Sequence, residues 1–193
     1  MNRITSSLLA VCLGATAAAV GASSASAHAE HAAPTNPGGP IGRTAPGSTS
    51  VDLAVTRAAT ARYHDVATAV AEGFAPAPHC AELPGVGGMG YHYVNEANMH
   101  DGVFDITRPE ILLYSPGPAG LRLAGVEYMS VDADQDLATD DDRPTLYGVP
   151  FDGPMPGHEP GMPVHYDLHV WLWLDNPDGM FAVWNPRLSC DQG

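Results

Sequence analysis

Met155-Pro-Gly-His-Glu-Pro-Gly-Met-Pro-Val-His-Tyr-Asp-Leu-His-Val-Trp-Leu-Trp-Leu174 begins as a Pro/Gly-rich loop and becomes, from Val164, a segment of regular alternation. Val164, Tyr166, Leu168, Val170, Leu172 and Leu174 fall on one side of a strand. His165, Asp167, His169, Trp171 and Trp173 fall on the other. The first row is a core face. The second joins imidazole, carboxylate and indole, a combination that points to a metal or ligand site. The β-branched and aromatic content favours a strand over a helix here. On a strand His165 and His169 stand roughly 13 Å apart, too far to share one ion. Neighbours two residues apart do better: Asp167 with either histidine supplies two ligands, with His92 or Glu127 arriving from other strands.

Working back along the chain, Leu121 to Val131 is a second alternating strand. Leu121, Leu123, Gly125, Glu127, Met129 and Val131 share a face, and Glu127 is its one ionisable group. A buried carboxylate without a partner is costly, so Glu127 calls for a cation, a metal, a donor or an arginine such as Arg122, Arg108 or Arg187. Upstream, Gly85-Val-Gly-Gly-Met-Gly90 leads into a strand at Tyr91-His92-Tyr93-Val94. These glycines lack the Lys-Ser/Thr of a phosphate loop and the helix of a dinucleotide site. Glu110 to Tyr114 and Thr145 to Phe151 read as further short strands. Asp175-Asn-Pro-Asp-Gly179 reads as a hairpin turn returning through a partner strand at Met180 to Trp184.

Three Met-x-x-His pairs recur: Met89 with His92, Met155 with His158, and Met162 with His165. Thioether with imidazole is a soft donor set suited to copper, while imidazole with carboxylate suits zinc, manganese or iron. Each Met taken singly is more ordinarily a gap-filler in a core. Asp132-Ala-Asp-Gln-Asp136 starts like a calcium loop and then departs from it. Leu137 stands where such a loop needs Gly, and Arg143 where it needs Glu, so the acidic run through Asp142 reads as a solvated loop. No Gly-x-Ser-x-Gly elbow is present, and the sequence singles out no catalytic nucleophile.

One helix is expected from Val51 to Glu72, with Ala59, Tyr63, Val66 and Val70 as its apolar stripe. Gly73 ends it, and Phe74 packs back on its last turn. Residues 1–27 read as a secretory signal peptide: Arg3, an apolar run from Ile4 to Val20, then Ala25-Ser26-Ala27. Residues 28–48 read as a flexible linker and 49–193 as a single domain. Cleavage of the signal leaves Cys80 and Cys190, which an oxidising compartment joins as a disulfide. The expected location is therefore secreted, extracellular or in the cell envelope.

The 193 residues carry 22 acidic and 8 basic side chains and no lysine, for a net charge of −14. That excludes partners needing a basic surface, nucleic acid and anionic membrane among them. Gly88 to Asn95, Leu121 to Tyr128, Gly161 to Trp173, Trp184-Asn-Pro-Arg187 and Cys190 resemble a family of exported bacterial proteins. The resemblance covers about residues 51 to 190; it implies export and carries over no activity.

The expected fold is α+β: an N-terminal helix packed on an antiparallel, twisted sheet, which closure would make a barrel or cone. The leading expectation for function is an exported metal-binding domain that uses a divalent or copper ion, copper or zinc first among them. Its ligands come from His92, Glu127, His165, Asp167 and His169, with Met89, His158 and Met162 as soft donors. The alternative is a small-molecule binding module whose pocket is lined by Tyr91, Tyr93, Trp171 and Trp173. A metal-dependent enzyme is the third reading, and it needs an open coordination position.

Overall fold

A computed structural model describes residues 49–191. The expected signal peptide and linker lie outside the described residues.

The N-terminal helix forms in three pieces. Helix α1 spans Thr49–Thr60, a 3-10 turn spans Ala61–His64, and α2 spans Val66–Ala71. The interruption has a local cause. Asp65 is extended, and its carboxylate accepts hydrogen bonds from the Ala67 N–H and the Thr68 hydroxyl, both at 3.0 Å. Asp65 thus starts a new helix instead of continuing the old one. The buried face is consequently Thr56, Thr60, Tyr63 and Ala69, and Val70 is exposed, which corrects the expected stripe. Gly73, at φ +96°, ends the segment as expected, and the Phe74 ring returns to lie 5.1 Å from that of Tyr63.

The sheet is built from β1 (Phe74–Leu83), β2 (Gly87–Asn95), β3 (Ile111–Ser115) and β4 (Arg122–Val131). A short helix α3 (Glu96–Met99) follows β2. Strands β5 (Thr145–Leu146) and β6 (Val149–Pro150) form a separate hairpin. Strands β7 (Asp152–Met155) and β8 (His165–Val170) then rejoin the main sheet. The order is β1-β2-β3-β4-β8-β7, antiparallel throughout, curled into a half-barrel that does not close. An α+β fold is therefore present and a closed barrel is not. Both edge strands carry proline, Pro76 and Pro78 on β1 and Pro154 on β7, which withholds donors where another chain could pair.

Three strand expectations need correction. Thr145 to Phe151 turns back on itself as the β5–β6 hairpin. Met180 to Trp184 is not a strand, although the Trp171 N–H still donates to the Met180 carbonyl at 2.9 Å. The partners of β8 are β4 and the unforeseen β7. On β4, Leu113 pairs with Gly125 but Tyr114 with Leu123, so Ala124 is an extra, bulged residue. Upstream of the bulge the faces exchange: Leu123 joins the helix-side core and Ala124 the opposite cluster.

The helix-side core holds Tyr93, Leu112, Tyr114, Val126, Tyr128, Tyr166, Leu168 and Val170, packed with Tyr63, Ala69 and Phe74. Buried hydroxyls pin the helices to it. Tyr114 donates to the Tyr63 carbonyl at 2.6 Å, and the Tyr147 hydroxyl meets those of Thr56 at 2.6 Å and Tyr128 at 2.9 Å. Bonds of this kind replace those lost to water and fix the docking angle. The opposite face carries a smaller cluster, Ile111, Leu113, Ala124, Trp171 and Leu188, and the ionisable residues considered next. The Cys80–Cys190 disulfide forms as expected, tying β1 to the C-terminal segment across 110 positions of sequence.

Candidate metal centre

Register decides which side chains meet. Glu127 on β4 stands directly opposite His169 on β8 and, on its other side, opposite Ile111 on β3. His92 on β2 stands opposite Leu113. Residues opposite one another share a face, so His92, Glu127 and His169 all rise from the side of the sheet away from the helices. Strands β2 and β4 are two spacings apart, roughly 10 Å, and the long side chains of His92 and Glu127 span that gap over Ile111 and Leu113. The His92 Nε2 lies 3.3 Å from the Glu127 Oε2, and the His169 Nε2 lies 3.8 Å from the same oxygen. One donor atom from each of the three lies within 4.8 Å of the other two.

This group is nearly dry. Glu127 is 4% exposed, His169 0%, and the His92 side chain 17%. Among the described residues, neither ring nitrogen of His169 has a hydrogen-bond partner, and neither does the Glu127 Oε2. Burying polar atoms unpaired costs a few kcal/mol each, so native proteins leave few such atoms without a reason.

Burial by itself raises the Glu127 pKa, yet the neighbouring His169 and His92 imidazoles hold it well below the usual carboxylate range. Burial lowers that of His169, and the Glu127 and Asp167 carboxylates more than reverse this, raising it. The arrangement demands a positive charge between the acids, and a proton or a metal ion can supply it.

Around these three residues the sheet places a second layer. The Asp167 Oδ1 lies 3.6 Å from the His169 Nδ1. Asp167 in turn stands opposite Asp152 on β7, whose pKa is raised by burial and by Asp167. The Trp171 ring stacks 6.2 Å from that of His169, and its indole N–H donates to the Ala182 carbonyl at 2.6 Å. Carboxylate and indole together limit how the His169 ring can turn.

No protein-family model, curated protein or solved structure matches this chain.

Of the five residues expected to bind metal, the fold gathers His92, Glu127 and His169, sets Asp167 beside them, and leaves His165 out. His165 is 1% exposed and faces His158, with ring centroids 5.0 Å apart. The partners of Glu127 are imidazoles; Arg187 and Arg108 pair instead with Asp175 and Asp101. Among the soft donors, Met89 is buried in β2, while His158 and Met162 lie in the loop before β8. The four aromatic residues do not line one pocket. Tyr91, Tyr93 and Trp173 belong to the helix-side core and Trp171 to the opposite cluster. Alternation ends with β8, which turns Trp173 toward His64 at 4.4 Å and under the Arg57 guanidinium at 4.6 Å.

Sequence reasoning missed Asp152 because it fell between the strand expected to end at Phe151 and the loop beginning at Met155, so it had no face to assign. It also passed over Glu110, 2% exposed with one oxygen unpaired, whose pKa burial pushes up to about 8. A lone acid at the head of an apolar strand was the available signal.

Proposed function

We propose that this protein binds one divalent transition-metal ion through His92, Glu127 and His169. The carrying observation is a fully buried imidazole whose two nitrogens make no hydrogen bond among the described residues, beside a buried carboxylate oxygen that accepts none. Metal–ligand bonds of about 2.0–2.1 Å in a tetrahedron put ligand atoms about 3.3 Å apart. The 3.3 and 3.8 Å separations from the Glu127 oxygen lie near that, and the two imidazoles, within 4.8 Å of each other, would draw together around the ion. Two neutral imidazoles and one carboxylate suit a borderline ion of the zinc or copper(II) class. On binding, a proton on the His169 Nδ1 would be held toward Asp167, leaving Nε2 free to ligate.

Three protein donors leave a fourth position for water or another ligand, on the side where His92 is partly exposed. That favours an exchangeable centre, with metal-dependent chemistry as the second reading. The disulfide supports placing the protein in an oxidising compartment, in keeping with export. Cobalt(II) substitution tests the coordination: a tetrahedral visible spectrum that zinc(II) bleaches supports the proposal. A pale octahedral spectrum equal to that of free cobalt would overturn it.

A further inference from the structure

The loop from Met155 to His165 brings four residues with soft donor side chains to the far end of β8. Met155 on β7 is the register partner of His165 on β8. The loop between them doubles back tightly: a Cβ on Gly157 would lie 2.1 Å from the Met162 carbonyl oxygen, so only glycine allows this crossing. The crossing brings the Met162 sulfur to the start of the loop, where it accepts from the His158 N–H at 3.4 Å. The His158 ring then meets that of His165, with centroids 5.0 Å apart and planes at 79°.

The His165 tautomer is set by its neighbour. Its Nδ1 lies 3.1 Å from the Pro163 carbonyl, which can only accept, so Nδ1 carries the hydrogen and Nε2 keeps its lone pair. His158 is exposed, and Met155 and Met162 are half-buried, so the cluster is open to a solvated ion. His165 stands four residues along the strand from His169, roughly 13 Å, so this group and the His92/Glu127/His169 centre cannot share one ion.

From this geometry we infer a second metal site, in which Met155, Met162, His158 and His165 bind copper(I). Two thioethers and two neutral imidazoles bring no charge. That donor set matches a soft monovalent ion and gives little to a divalent ion that prefers carboxylate. The inference does not depend on the buried centre, which uses other residues and another class of ion.

The test is anaerobic competition between the full chain and a chromophoric copper(I) chelator. The parent protein is compared with Met155→Leu/Met162→Leu, which keeps volume and apolarity, and with His158→Ala at an exposed position. The expected result is at least tenfold weaker copper(I) binding in the double leucine variant. Sulfur scattering should appear in the X-ray absorption of the parent–copper complex and vanish in that variant. Weakening in His158→Ala, with unchanged circular dichroism, adds support. Equal affinity in the parent and the leucine variant, or only nitrogen and oxygen around the parent's copper, overturns the inference. Zinc titration of the same samples reports on the buried centre separately, so failure of one site is distinguishable from failure of the other.

Discussion

Glu127 faces two imidazoles from inside the sheet, and its charge depends on theirs. The signs follow from the direction of each shift. The folded pKa of His169 is raised from 6.5 to about 9 by the Glu127 and Asp167 carboxylates acting against burial. Its stabilising contribution in the metal-free protein is therefore fully present below about pH 6.5 and is lost as pH rises through about 9. The Glu127 value is depressed, so its contribution is present above about pH 4.5 and is lost on acidification through its folded value. An incoming ion must displace the His169 proton, so zinc affinity should rise about tenfold per pH unit below pH 9. Chelator competition at pH 6, 7 and 8 measures this, and a flat profile would remove His169 from the ligand set. Glu110 gives an independent check. Burial holds its folded value near 8, above the ordinary 4.5, so the protein should lose stability as pH rises between those values. Glu110→Gln should remove the Glu110 share of that slope, leaving the His169 share above about pH 6.5, and stabilise at pH 8 by up to a few kcal/mol, at ~1.4 kcal/mol per pH unit of the window. Urea melts at pH 5 and 8 would show it.

At the scale of elements, β2 and β8 deliver the two imidazoles, and small residues keep their registers. Gly90 lies two positions before His92 at φ +89°, and a Cβ there would stand 2.3 Å from the Tyr114 carbonyl oxygen. Gly90→Ala should cost about 2–4 kcal/mol and weaken metal binding as β2 shifts against β3, read from denaturant melts and zinc titration. The alternation of β8 was legible in the chain because His165 to Val170 buries both faces with opposite chemistry. Glu127 was legible as a carboxylate needing a partner. What could not be read was set by long-range pairing. Asp152-Gly-Pro-Met155 becomes a strand only because β8 offers an edge, against the ordinary preferences of Gly and Pro. The bulge at Ala124 leaves no local mark, and the cap at Asp65 competes with a helical pattern that runs straight through it. Hence the sequence pointed to His165 and His169 on one face but could not tell which of them Glu127 would meet.

Across the whole molecule, one covalent device and one proposed device bear on the stability of the curled, open sheet. The Cys80–Cys190 bond closes a loop of 110 positions, worth about 4–5 kcal/mol on the chain-entropy model. Reduction and alkylation should lower the Tm by on the order of 10 °C in a calorimetric scan. The second, on the proposed reading, is the buried centre, where a bound ion would link β2, β4 and β8 through His92, Glu127 and His169. Free zinc at a hundred times its Kd should add about 2.7 kcal/mol to the stability of the native state. The most direct measurement is isothermal titration of metal-free protein with zinc at pH 8, run beside Glu127→Gln, which keeps the shape of the side chain and removes its charge. Binding of one ion per chain, weakened at least a hundredfold in the variant, is the expected result. Binding of equal strength in both proteins, or none in either while both remain folded, would contradict a metal centre at His92, Glu127 and His169.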